Sequence, residues 1–360
     1  AEIASGDMSV LPKHIYDPDG MMDEFSIKQL NDDASLSENQ TIIDYAEFFN
    51  SEKFKRDPET IQGCGGYFLK RWQTGQRTVL EKKENWWGDK FNGEATVFNQ
   101  NAQTLLFETI NDQTTAKEAL KAGEVDVMRG IKASDFVKLR DDSEVKKQFN
   151  LFTPDHLSFS YLGVNMRLKK FEDKRTRQAL AHLLDVDKII ENVSYGFGVP
   201  VVSPYHPSRP FYNHNLKRYA YDIEKAKALL AEAGWEDTNN NGILDKVIDG
   251  NVTDFTIELT YNTGNDARKN VCLMFQEEAR KVGIDVNVTN QEWSIYLENQ
   301  KDHNFEMYYG AWISGVPPSD PKQLWHTESY NGGSNYCGFG NAESDDCLLY
   351  TSDAADERHC

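Results

Sequence analysis

Residues 255–288 read FTIELTYNTGNDARKNVCLMFQEEARKVGIDVNV, and this stretch decides the kind of fold. Phe255–Tyr261 alternates apolar and polar residues, the period of a half-buried strand. Asp266–Val282 is amphipathic, with Val271, Met274, Phe275, Ala279 and Val282 on one helical face. Asp285–Val288 reads as a second strand. Strand, helix and strand in close succession predict an α/β architecture.

The same rhythm extends outward. Downstream, Trp293–Gln300 reads as a short helix and Phe305–Trp312 as a strand. Upstream, Phe159–Asn165 is a strand, and Arg175–Val193 carries Ala179, Leu183 and Ile190 at helical spacing. Asp222 is placed to cap a helix over Ile223–Ala233 that Gly234 ends. Nearer the start, Tyr67–Trp72 and Arg77–Lys82 flank a short joint containing Gly75, the signature of a hairpin. Thr104–Ile110 reads as a strand, Thr114 or Thr115 as the cap of a helix over Ala116–Ala122, and Val125–Met128 as a short strand completing a β-α-β unit. No repeat or Pro/Ser-rich linker interrupts the chain. Two cross-connected regions are therefore expected, 1–155 and 156–341. Cys347–Cys360 (CLLYTSDAADERHC) continues neither periodicity, so 342–360 reads as a non-native tail, with a frayed terminus as the plain alternative.

The 360 residues suffice for about two domains at ~150 residues each. With 39 Lys plus Arg against 58 Asp plus Glu, the net charge of −19 disfavours nucleic acid and anionic lipid as partners. The chain has no ~18-residue apolar run and no export signal at its start, which predicts a cytoplasmic protein or a start that has been removed. Cys64, Cys272, Cys337, Cys347 and Cys360 form neither a C-x-x-C motif nor a metal spacing.

Enzyme motifs are missing from the sequence. It contains no phosphate loop with its lysine, no H-E-x-x-H and no G-x-S-x-G. Paired carboxylates for glycoside hydrolysis are compatible with so acidic a chain, although solvated surface explains the same count. One cation pattern stands out. Asp237, Asn239, Asn241 and Asp245, with Gly242 at the sharp turn, match the first part of an EF-hand-like loop, which would make Ca²⁺ a structural ion. Ile248 stands where the bidentate Glu belongs, and a polar turn accounts for the same residues.

Several segments resemble the extracellular solute-binding proteins of family 5, the peptide-binding components of ABC importers. They are GCGGYFLKRWQTGQRTVLEKKENWWGD (63–89), ETINDQTTAKEALKAGEVDVM (108–128), YLGVNMRLKKFEDKRTRQALAHLLDVDKII (161–190), YAYDIEKAKALLAEAGW (219–235), AWISGVPPSDPKQLWH (311–326) and GGSNYCGFGN (332–341), in the family's order. The resemblance implies a two-lobed periplasmic-binding-protein-like fold of type II that closes over its ligand. It also implies that the first lobe is incomplete here, the family's signal, first strands and small extra domain preceding Ala1.

By position the resemblance puts Asn165, Trp293, Tyr296, Trp312, Ser334, Asn335 and Tyr336 near the ligand cleft. Asn165 could equally end a strand, and Trp293 with Tyr296 could equally be core. Trp312 ends a strand before a Pro/Gly loop, a usual place for a binding residue. Peptide-binding members carry an Asp three residues after this tryptophan to pair with the peptide ammonium; here Gly315 stands there, and Ala311 replaces the usual Gly. A buried ammonium needs a counter-charge, so Asp320 is the substitute candidate. Ile223 replaces the family's usual proline.

The expected function is non-catalytic capture of peptides or related small polar solutes by a monomer, periplasmic or membrane-anchored outside the cell membrane, with ABC permease subunits as partners. No cofactor is expected beyond structural Ca²⁺. Saccharide, nickel-chelate or opine binding remain open within the family. From other classes, the rivals are a secreted glycoside-active enzyme and a calcium-stabilised surface protein.

Overall fold

The computed structural model describes residues 11–209, 212–313 and 321–348. The chain divides into two compact units, 1–131 and 132–360.

In the first unit, β1 (Tyr67–Gln73), β2 (Arg77–Lys82) and β3 (Thr104–Glu108) form an antiparallel sheet in chain order. Gly75, at φ +70°, makes the turn of the expected hairpin. Both Trp86 and Trp87 donate their indole N–H to the carbonyl of Cys64, at 2.7 and 2.9 Å, which pins the glycine-rich segment beneath them. The helix after β3 spans Gln113–Lys121. Its cap is Asp112, which accepts the Thr115 N–H at 2.8 Å, and neither threonine is the cap. The carboxylate takes that bond because an ionised oxygen is the stronger acceptor for a helix N-terminus. Val125–Met128 is not a strand: nothing pairs with it among the described residues, and Val127 is 76% exposed. Alternation alone makes no strand without a neighbour to receive its hydrogen bonds.

In the second unit, β4 (Ser158–Val164), β7 (Thr256–Asn262), β8 (Asp285–Gln291) and β9 (Met307–Ile313) form one sheet in the order β4-β9-β7-β8. β7 and β8 are parallel and joined by the helix Asp266–Arg280, the β-α-β unit read from 255–288. Val271, Phe275 and Ala279 of that helix are buried, as its apolar face requires. The core behind the sheet is centred on Trp235, which stacks on Phe255 at 4.0 Å with planes 13° apart and donates its N–H to Thr176 Oγ1. Arg175–Val193 is two helices, Lys174–His182 and Val186–Asn192. Asp185 breaks the run by accepting the Lys188 N–H as a fresh N-cap.

A hairpin that the periodicity did not signal, β5 (Asp245–Ile248) with β6 (Asn251–Asp254), turns on Asp249-Gly250, both at positive φ. Residues 342–348 are helical. Asp345 accepts from the Thr327 N–H and hydroxyl, tying the start of the expected tail to the preceding loop. Residues 349–360 lie outside the described residues.

Candidate functional site

β4 and β9 run antiparallel, with Phe159 opposite Trp312, Tyr161 opposite Gly310, and Gly163 opposite Tyr308. Side chains alternate along a strand, so these residues share one face of the sheet. Leu162, Val164, Met307 and Tyr309 take the other face and join the core. A methyl group on Gly310 would overlap the Tyr161 ring, and one on Gly163 would overlap Tyr308. Both rings therefore lie across the facing strand, and their hydroxyls meet at 2.8 Å. The Cys337 thiol, a weak donor, lies 3.9 Å from the Tyr308 hydroxyl. Trp312 stacks on Tyr336, with centroids 6.1 Å apart and planes at 21°.

Over this aromatic surface opens a pocket of about 310 Å³, walled also by Val201, Pro204, Trp325 and Ser334. Burial pushes the phenols of Tyr161 and Tyr308 well above their ordinary range, and the Cys337 thiol up to about 11. All three are protonated at neutral pH, so the floor of the pocket carries no charge.

A longer groove of about 820 Å³ shares Phe159, Ser160, Tyr161 and Val201 with the pocket and follows β4. β4 is an edge strand, and among the described residues no strand pairs with its outer side. Among the described residues, the main-chain donors and acceptors on that side of β4 have no strand partner. Asp155, His156 and Arg177 line the same groove.

The residues singled out from the sequence fall into two groups. Trp312, Ser334, Asn335 and Tyr336 converge on the pocket. Within it, Asn335 is buried and uses its side chain on the protein: it donates to the carbonyls of His326 and Phe339 and accepts the Phe339 N–H. Asn165, Trp293 and Tyr296 do not line it. Asn165 is buried, donating to the carbonyls of His303 and Phe305 and accepting the Arg167 N–H, which anchors the end of β4. Tyr296 is buried with its hydroxyl bonded to the Tyr309 carbonyl. Trp293 is half exposed, stacked on Tyr296 with the Arg268 guanidinium 6.0 Å from its ring. Asp320 and Gly315 lie outside the described residues. Sequence reasoning missed Phe159, Tyr161, Tyr308 and Cys337.

In the calcium-like loop, Asp237 accepts the N–H groups of Asn241 and Gly242, Asn239 that of Asn241, and Asn241 that of Ile243. Asp245 is 2% exposed and turns both oxygens to Thr238, accepting its N–H at 2.8 Å and its hydroxyl at 2.7 Å. Among the described residues no group of three or more His, Cys, Asp or Glu is placed to hold a metal.

Residues 16–335 match the family described as bacterial extracellular solute-binding proteins, family 5 Middle. Oligopeptide-binding protein AppA of Bacillus subtilis is 31% identical over 301 residues, 82% of this chain and 52% of that protein. Heme-binding protein A of Haemophilus influenzae is 28% identical over 321 residues, 88% of this chain and 54% of that protein. The structure of AppA from Bacillus subtilis in complex with a nonapeptide superposes with a TM-score of 0.64 at 30% identity, over 94% of this chain and 59% of that one. The chain thus spans about half the length of the curated relatives it matches. Its structural neighbours are family 5 periplasmic binding proteins of the two-lobed type II fold, and this chain is mixed α/β like them. No enzyme motif competes with that assignment, and the match runs through both compact units: the chain belongs to the bacterial extracellular solute-binding proteins of family 5.

Proposed function

We propose that this chain belongs to the solute-capturing component of an ABC importer, working without catalysis outside the cytoplasmic membrane and passing peptides or related small polar solutes to membrane permease subunits. The observation that carries the reading is the outer edge of β4 beside the 820 Å³ groove, which no strand among the described residues pairs. An extended peptide can add to such an edge through main-chain hydrogen bonds, which gives affinity with little demand on side chains. The groove also offers fixed charges of both signs, Asp155 and Arg177, within one lining. A peptide zwitterion has one end for each. The net charge of −19 opposes nucleic acid as the partner.

Thermal-shift and calorimetric titration with short peptides tests this reading. Stabilisation that grows with peptide concentration, without hydrolysis of the peptide, is expected. Turnover of a model glycoside with no peptide-dependent shift would instead establish the enzyme rival.

A further inference from the structure

Resting on the solute-capture reading for its setting, we propose that the 310 Å³ pocket is a subsite for a single uncharged aromatic group with one hydrogen-bonding tip, a phenol or an indole, and that it excludes ammonium and carboxylate groups. The volume lies at the lower end of ligand pockets, with room for an aromatic group, and the pocket continues into the longer groove that would take the rest of a solute. Its walls are aromatic: Phe159, Trp312, Trp325 and Tyr336 present ring faces or edges to whatever enters.

Among the described residues the lining includes no Asp, Glu, Lys, Arg or His. That is a property of the place and not of the chain, since another hollow of the same unit is lined by Arg167, Glu172, Lys174 and Arg177. Among the described walls an ion entering the aromatic pocket would lose its water and meet no charge of opposite sign, a cost that ring faces repay to an ammonium only in part.

The floor supplies the polar tip's partner. Tyr161 and Tyr308 carry two hydroxyl protons between them, and their mutual bond uses one. The Cys337 thiol and the Trp312 indole also bond these two oxygens, which leaves the second proton and a single lone pair for a guest. A phenol hydroxyl can donate or accept there, and an indole N–H can donate.

The test uses the 360-residue chain with four small probes, p-cresol, toluene, n-butylammonium and propionate, followed by tryptophan fluorescence and ligand-observed NMR. We expect p-cresol to saturate on the order of millimolar, with the two ions at least about tenfold weaker. The double variant Tyr161→Phe with Tyr308→Phe is expected to bring p-cresol down to the level of toluene while toluene is unchanged. Ions binding as well as p-cresol overturn the proposal, as does a double variant that still prefers p-cresol over toluene. Should that variant not fold, the ranking of the four probes on the unaltered chain decides alone. Trialanine separates the two readings: if it fails to bind while p-cresol binds, peptide capture falls and the subsite stands. If peptides bind while p-cresol does not, the subsite alone falls.

Discussion

Tyr161 and Tyr308 each face a glycine across the strand pair, and this lets their hydroxyls meet 2.8 Å apart beneath the pocket. Two bulky residues on adjacent positions of one sheet face would ordinarily stand side by side, pointing away from the sheet. Opposite glycines let both rings tilt across it instead.

Gly310→Ala tests that relationship. The new methyl must displace the Tyr161 ring or the strand beneath it, and overpacking of this kind costs about 1–3 kcal/mol. Urea denaturation is expected to show a lower midpoint with an unchanged slope. The hydroxyl pair should separate, weakening solute binding beyond what the stability loss explains.

The thiols give a second prediction. Burial raises Cys337 to about 11 and Cys272 to about 12, whereas Cys64 is exposed. The thiolate is the reactive form, and it is scarce at pH 7.5 when the folded-state value lies so high. Maleimide should label Cys64 at least about tenfold faster than either buried thiol in the native protein. Peptide mass mapping with and without denaturant checks this, since unfolding should equalise the three. Labelling of Cys337 should rise as pH increases toward its raised value, and a solute in the pocket should slow it because Cys337 lines the wall.

How much of this was legible in the sequence depended on whether a residue's role was local. The Tyr67–Lys82 hairpin and the 255–288 unit declared themselves, because alternation, helical spacing and Gly75 act within a few residues. Val125–Met128 had the alternation too, but a strand also needs a neighbour, and that is not a local property. Asp185 was hidden inside a good helical pattern because its capping role shows only once the backbone turns. The pocket was half legible. Trp312 and Ser334-Asn335-Tyr336 were reached by resemblance, while Tyr296 and Asn165, reached the same way, use their polar atoms within the protein. Phe159, Tyr161 and Tyr308 did carry a signal: Phe-x-Tyr-x-Gly on one strand and Tyr-x-Gly-x-Trp on the other interlock only when the strands are set antiparallel.

Asp245 supports a third prediction. Its carboxylate is buried and satisfies both the N–H and the hydroxyl of Thr238. Asp245→Ala removes both bonds to Thr238, and hydrogen bonds to a charged group contribute about 1.5–3 kcal/mol. The loss should be the same with and without calcium in the buffer, because the bonds removed are within the protein. A destabilisation that appears only when millimolar Ca²⁺ is present would show instead that the loop carries an ion.

His303 supplies the fourth. Its Nδ1 and Nε2 lie 2.9 Å from the carbonyl oxygens of Tyr336 and Tyr330, and its ring lies parallel to that of Tyr330 at 3.6 Å. A neutral imidazole has one N–H, so it donates to one of these carbonyls and only contacts the other, bracing the segment that carries Asn335 and Tyr336 into the pocket. His303→Phe keeps a flat ring over Tyr330 while removing both nitrogen contacts, so it isolates the hydrogen bond from the stacking. A stability loss of about 1–2 kcal/mol is expected. With Tyr336 less firmly set against Trp312, solute affinity should fall as well, and Trp312 fluorescence should respond less to p-cresol. A variant with the stability loss but unaltered binding would show that His303 braces the loop without shaping the pocket.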